Sequence, residues 1–119
     1  MAAPLPTIPS DQLASCCSPL TGGVVGDEAA ETLARMFKAL GDPTRVRLLS
    51  MIAAASGGEA CICDMTEPIG LSQPTISHHM RILVDAGLAT REQRGRWAYY
   101  RVAPEVLGSL SAALAPPLG

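Results

Sequence analysis

Aromatic side chains are scarce in this 119-residue sequence. Phe37, Trp97, Tyr99 and Tyr100 are the only four, so the core is expected to be aliphatic. No apolar run approaches the length of a membrane span. The N-terminus has no basic region and is broken by Pro4, Pro6 and Pro9, which does not read as a secretory signal. There is no excess of positive charge, the net charge being −2. A nucleophile–base constellation and a phosphate-cradling glycine loop are both missing, and the two histidines stand side by side. These absences argue against a membrane protein, a secreted scaffold, a strongly basic nucleic-acid binder and an enzyme. The expected location is the cytoplasm. There, four cysteines serve as thiols or metal ligands rather than as disulfides.

What is present fits one domain with a modest core. Hydrophobic residues make up 48% of the chain, too many for a disordered one. Alanine and leucine dominate, which favours helices. Charge is unevenly placed. Residues 1–71 carry four Lys/Arg against eight Asp/Glu, whereas residues 72–119 carry five Arg against three Asp/Glu. The positive half can hold a local phosphate-binding patch on an acidic protein.

That half opens with GLSQPTISHHMRILVDAG, Gly70 to Gly87. Gly70 permits a tight turn, Ser72 is a good N-cap, and Pro74 falls in the first helical turn, where its missing N–H costs little. Leu71 and Ile76 stand at the positions of a hydrophobic staple. Ile76, Met80 and Leu83 recur at helical spacing until Gly87 ends the pattern. The opposite face carries Gln73, Thr75, Ser77, His78 and Arg81, crowded toward the N-terminal half. In a helix-turn-helix, that half of the second helix meets base edges, where Gln can read adenine and Arg guanine. An ordinary amphipathic helix with a wet face has the same stripe, so the stretch alone leaves both readings open. His79 flanks the stripe and suits either a half-buried site or a DNA contact.

The rest of the chain frames this helix. Residues 1–26 are Pro/Gly/Ser-rich and read as a mobile arm containing Cys16 and Cys17. Residues 27–115 read as the DNA-binding and dimerisation domain, and 116–119 as a tail. Asp27 to Leu40 is a predicted helix capped by Asp27, with Leu33, Met36, Phe37 and Leu40 inward. A second helix starts at Asp42-Pro43 and turns Val46, Leu49, Ile52 and Ala53 inward. Its Arg45 and Arg47 are phosphate-contact candidates or solvated charges. Glu59 to Ile69 is expected to be the first helix of the helix-turn-helix, ended early by Pro68. Leu88 to Val102 reads as a β-hairpin turning at Arg94-Gly95, with Arg91, Arg94 and Arg96 along it or at its tip. Trp97 and the tyrosines are expected to pack the hairpin onto the helices. Pro104 to Leu114 closes the domain with a stripe of Val106, Leu107, Leu110 and Leu114, which suggests a dimer contact. The predicted fold is mainly α with a small β-hairpin, a winged helix-turn-helix.

Cys61-Ile62-Cys63 is placed by this reading at a helix N-terminus, where the dipole and free N–H groups favour thiolates. With Cys16-Cys17, these are all the cysteines present, and together they look like one soft-metal site.

The sequence resembles the ArsR/SmtB family of metal-sensing repressors. The resemblance is carried by FKALGDPTRVRLL (Phe37 to Leu49), EACICDM (Glu59 to Met65), GLSQPTISHHMRILVDAGL (Gly70 to Leu88) and GRWAYYRV (Gly95 to Val102). It implies a homodimeric repressor that leaves operator double-stranded DNA when metal binds, with DNA contacts from Gln73, Ser77 and His78. EACICDM is similar to the E-L-C-V-C-D-L metal box of the family's arsenic and cadmium sensors. Cys16-Cys17 resembles arrangements in which arm cysteines complete that site. The helix after the wing offers only Glu105, so a second, zinc-type site is not expected.

The metal-site expectation is therefore Cys16, Cys17, Cys61 and Cys63. The operator-contact expectation is Ser72, Gln73, Thr75, Ser77, His78, Arg81, Arg45, Arg94 and Arg96. Trivalent arsenic or antimony would take three thiolates, Cys16, Cys17 and one of Cys61/Cys63. Cadmium or lead using all four is the alternative ion. A thiol redox switch on the same DNA-binding dimer is the alternative mechanism.

Overall fold

The computed structural model describes residues 23–115. Helix α1 spans Asp27–Leu40 and α2 Pro43–Ala54. A 3-10 turn at Ser56–Gly58 leads into strand β1, Glu59–Cys61. Helices α3, Ile62–Ile69, and α4, Gln73–Asp85, follow. Strands β2, Ala89–Arg94, and β3, Trp97–Val102, form the wing, and α5 spans Pro104–Leu114. The fold is a winged helix-turn-helix, with α3 and α4 as its two helices.

Local chemistry explains most boundaries and corrects several expectations. Gly26, not Asp27, occupies the N-cap position of α1. Asp27 and Glu28 lie within the first turn, where their charge meets the positive end of the dipole. Asp42 caps α2 by accepting the backbone N–H of Arg45 at 3.1 Å. The inward stripe of α2 is Leu48, Leu49 and Ile52, while Val46 is 52% exposed and Ala53 faces solvent. The half-buried Arg45 continues that stripe one turn earlier. Its hydrogen bonds to the end of α1 set the rotation of α2 and turn Val46 outward.

The larger correction lies at Glu59 to Cys61. These residues form a strand, not the first turn of a helix. β1 pairs antiparallel with β3, Ala60 opposite Tyr100 and Cys61 opposite Tyr99, giving a three-stranded sheet of order β1-β3-β2. The physical reason is the open edge of β3, whose peptide groups need partners that the two-stranded wing cannot supply. Helix α3 consequently starts at Ile62 and stays helical through Pro68 to Ile69. Gly70, left-handed at φ 78°, closes it by donating to the Thr66 carbonyl at 2.8 Å.

Helix α4 follows its predicted pattern closely. Ser72 is the N-cap. At the other end Gly87 N–H donates to Val84 and Leu88 N–H to Leu83, both at 3.0 Å, the paired bonds of a Schellman ending. Ile76, Met80 and Leu83 are fully buried. Each contributes about 1.5–3 kcal/mol of burial, which holds α4 against α1, α2 and α3. Met36, Leu48, Ile52, Met65 and Leu88 complete the centre of an aliphatic and thioether core. Phe37 and Leu40 are only partly buried. Tyr100 is the aromatic buried in the core, whereas Trp97 is 38% exposed on the wing rather than packed onto the helices. In α5 Leu110 and Ala113 point inward, and Leu114 is 59% exposed.

Candidate nucleic-acid interface and thiol cluster

The outward face of α4 and one face of the wing enclose a groove of about 550 Å³. Gln73, Ser77 and Arg81 line it from α4, and Arg91, Gln93 and Arg96 line it from the wing. Ile62, Val84, Ala98 and Tyr100 also line it, as does one acid, Asp85. Side chains alternate along a strand. Arg91, opposite Tyr100, and Gln93, opposite Ala98, therefore share the groove-facing side of the sheet. A groove with three guanidinium groups beside a helix rich in short polar side chains can hold a phosphate backbone and present donors and acceptors to base edges.

Of the α4 candidates, Ser72, Gln73, Thr75, His78 and Arg81 are exposed and Ser77 is half-buried. Ser72 Oγ serves the helix itself, accepting from Thr75 N–H at 3.4 Å and sharing a hydrogen bond with Thr75 Oγ1 at 2.9 Å. His79 is half-buried and contacts Arg45.

The wing arginines divide between the two faces. Arg96 joins the groove, as does Arg91, which sequence reasoning places on the hairpin without selecting it. The readable signal is parity: Arg91 is an odd number of residues from Arg94, so the two cannot share a face. Arg94 lies on the opposite side, its guanidinium 4.4 Å from the centre of the Tyr99 ring. There it binds both carboxylate oxygens of Glu59 and one of Glu92, and Arg101 reaches Glu59 at 2.8 Å. The hydrogen bonds from Arg94 hold the Glu59 carboxyl below the usual glutamate range. The same contacts raise the Arg94 guanidinium further above its ordinary value. Arg45 is likewise occupied, by backbone carbonyls and His79.

Across β1 lies the thiol cluster. Cys61 is buried at 2% exposure and caps α3, its Sγ accepting from Cys63 N–H at 3.3 Å. Cys63 is exposed, with its Sγ 4.0 Å from Asp64 Oδ1. Among the described residues, these two sulfurs and the Asp64 carboxylate form the group of metal-ligating atoms, all within 4.8 Å of one another. The Cys61 and Cys63 sulfurs lie against one another, close enough to pair with each other or to share one ion. The cap folds Cys61 Sγ back over the first turn of α3, toward Cys63. Reduced, the pair presents two soft donors and a neighbouring carboxylate, a set that suits a thiophilic ion. Asp64 is a donor that sequence reasoning misses, although it directly follows Cys63 in the chain. Cys16 and Cys17 lie outside the described residues. Ile62 stands between the two cysteines and lines the groove beside α4.

Residues 42–91 match the family model described as bacterial regulatory protein, arsR family. The arsenical resistance operon repressor of Bacillus subtilis is 39% identical over 74 residues, covering 62% of this chain and 69% of that protein. The chain belongs to the ArsR family. The arsenic resistance transcriptional regulator ArsR1 of Pseudomonas putida is 45% identical over 71 residues, or 60% of this chain. That match spans about half of the Pseudomonas protein, 54% of its length. A cadmium resistance regulator homolog, CadC, of Staphylococcus aureus is 38% identical over 73 residues, 61% of this chain and 59% of that protein. Among solved structures, a homodimeric winged helix-turn-helix DNA-binding domain from Mycobacterium bovis superposes with a TM-score of 0.61 at 25% identity. It covers 76% of this chain and 83% of that one. Family and fold are those of DNA-binding transcriptional regulators. Among the described residues no helix is long and apolar enough to cross a membrane.

Proposed function

We propose that this ArsR-family regulator is a cytoplasmic, dimeric repressor that releases its operator when a thiophilic ion binds its cysteine thiolates. Operator contacts come from Ser72, Gln73, Thr75, Ser77, His78 and Arg81 of α4 and from Arg96 of the wing, to which Arg91 is added. Arg45 and Arg94, whose guanidinium groups are taken up by protein acceptors, position the reading elements instead. The inducer is trivalent arsenic or antimony, held by Cys16 and Cys17 of the arm and by one of Cys61 and Cys63. Dimerisation through α5 and its neighbours presents two copies of α4 to half-sites roughly 34 Å apart.

The observation that carries the reading is the place of Ile62, flanked by the two cysteines and lining the groove beside α4. An ion that draws Cys61 and Cys63 into a new arrangement acts on the wall of the DNA-facing groove. Ion binding and DNA binding then oppose one another by linkage. A tenfold loss of operator affinity needs about 1.4 kcal/mol of coupling, which thiolate bonds readily supply. The names of the Pseudomonas and Bacillus relatives favour arsenic. The Staphylococcus relative keeps cadmium, with all four thiolates, as the second ion. The contact between Cys61 and Cys63 supports a redox route to the same release.

Fluorescence anisotropy on a labelled operator duplex separates these readings. The chain is titrated off the duplex by arsenite, by cadmium and by an oxidant, and the first two titrations are repeated with Cys16 and Cys17 changed to Ser. Release by arsenite that is lost in the double variant is the expected result. Release by cadmium alone moves the assignment to a four-thiolate site, and release by oxidant alone to a redox switch. No release by any of them overturns the sensor.

A further inference from the structure

Arg45 sits where three helices meet. Its Nε donates to the Ala39 carbonyl at 2.6 Å and one terminal nitrogen lies 3.5 Å from the Lys38 carbonyl. Both carbonyls belong to the last turn of α1, where helical C=O groups lack partners within the helix. The other terminal nitrogen is 3.1 Å from His79 Nδ1 on α4. A guanidinium has donors only, so in this contact Nδ1 is the accepting nitrogen. Asp42 completes the junction, accepting the Arg45 backbone N–H and standing 3.9 Å from His79 Nδ1. The His79 side chain is 18% exposed and turned toward this junction.

We propose that His79 is a positioning residue for DNA recognition, and that Arg45 acts through it rather than on phosphate. The proposal rests on the DNA-reading role assigned to α4. The remaining contacts of α4 with the core are mostly apolar and non-directional, through Ile76, Met80 and Leu83. Such contacts resist separation better than rotation about the helix axis. A hydrogen bond to Nδ1 is directional and fixes that rotation. His79 directly follows His78 and lies two residues from Ser77, so the bond acts within one turn of the reading side chains. Binding constellations need their groups held within about 0.5 Å and 10–20°, a tolerance that apolar packing alone meets poorly.

The test uses the full chain and a duplex enriched by that chain from a randomised pool. His79→Leu removes the acceptor, whereas His79→Asn places an amide oxygen close to the position of Nδ1. The expected result is a loss of about tenfold or more in affinity for the enriched duplex in His79→Leu, with recovery in His79→Asn. Affinity for a scrambled duplex should not change, because non-specific binding rests on charge rather than on helix orientation. Partial unfolding would weaken both duplexes together, so the ratio between them isolates positioning. Equal loss on both duplexes, unchanged affinity in His79→Leu, or failure of His79→Asn to recover would each overturn the proposal. The imidazole nitrogens of His79, read by NMR, give an arm independent of DNA. The expected tautomer is protonated on Nε2 with Nδ1 accepting, and any other state overturns the proposal. If no duplex enriches at all, the DNA-reading role fails first, while the imidazole signal still reports on the bond.

Discussion

Arg94 lies over the ring of Tyr99 and grips the carboxylate of Glu59, joining the outer strand of the wing to the strand that leads into Cys61. The contact spans the whole three-stranded sheet, since β3 lies between β1 and β2. It gives the wing a second attachment beyond its backbone ladder.

This attachment makes stability depend on acid. Hydrogen bonds from Arg94 hold the Glu59 carboxyl below its ordinary value of 4.5. A carboxylate with a lowered folded-state pKa contributes stability that is complete above the unfolded value and is lost as pH falls through the folded one. The difference in unfolding free energy between the native chain and Glu59→Gln should be constant at neutral pH and shrink below about pH 4.5. Urea unfolding across that range measures it. A difference independent of pH would mean that the ion pair is absent in solution.

The division of wing arginines predicts different salt behaviour. A phosphate contact contributes roughly 0.9 to the slope of log K against log salt. Arg91→Ala and Arg96→Ala should each lower the slope by about that amount. Arg94→Ala should leave it nearly unchanged while loosening the wing. Operator titrations at four or five salt concentrations distinguish the two faces, and equal slopes for all three variants would refute the assignment.

The two cysteines of the C-x-C should not be equivalent. Cys61 is buried and caps α3, so Cys61→Ser should cost about 1–3 kcal/mol through the burial of a more polar group in its place. Cys63 is exposed, and Cys63→Ser should stay within about 0.5 kcal/mol of the native chain. Thermal denaturation of the reduced proteins checks both. Arsenite-induced release from DNA should weaken in the one variant that removes the third thiolate and persist in the other, whichever of the two loses stability.

Gly70 offers a separate check on the helix-turn-helix. A methyl group there would meet open space, so the cost of Gly70→Ala is the left-handed backbone alone. About 1–2 kcal/mol of destabilisation is expected. A neutral substitution would show that the turn relaxes to another conformation.

Much of the fold is legible in the residues alone. The α4 pattern, from the Ser72 cap to the Gly87 ending, is local chemistry, and the apolar stripe agrees with it at every turn. Glu59 to Cys61 is not readable as a strand. Three residues carry no periodicity, and their pairing depends on the edge of β3, some 40 residues later in the chain. Arg45 and Arg94 look like free cations for a related reason. Their partners, His79 and Glu59, are distant in sequence, and a charge count does not say which charges are already matched. Cys61 and Cys63 are legible as a pair, whereas the burial of one and the exposure of the other derive from β1.

The two-sidedness of β2 also limits how the wing can change. Deleting or inserting one residue between Ala89 and Arg94 would reverse the facing of every later side chain in the strand. A residue in the position of Arg94 would turn into the groove, and those lining the groove would turn toward Glu59. A change of two residues would lengthen or shorten the wing and keep every side chain on its own side. The reach of the wing can therefore change in even steps without exchanging its two faces.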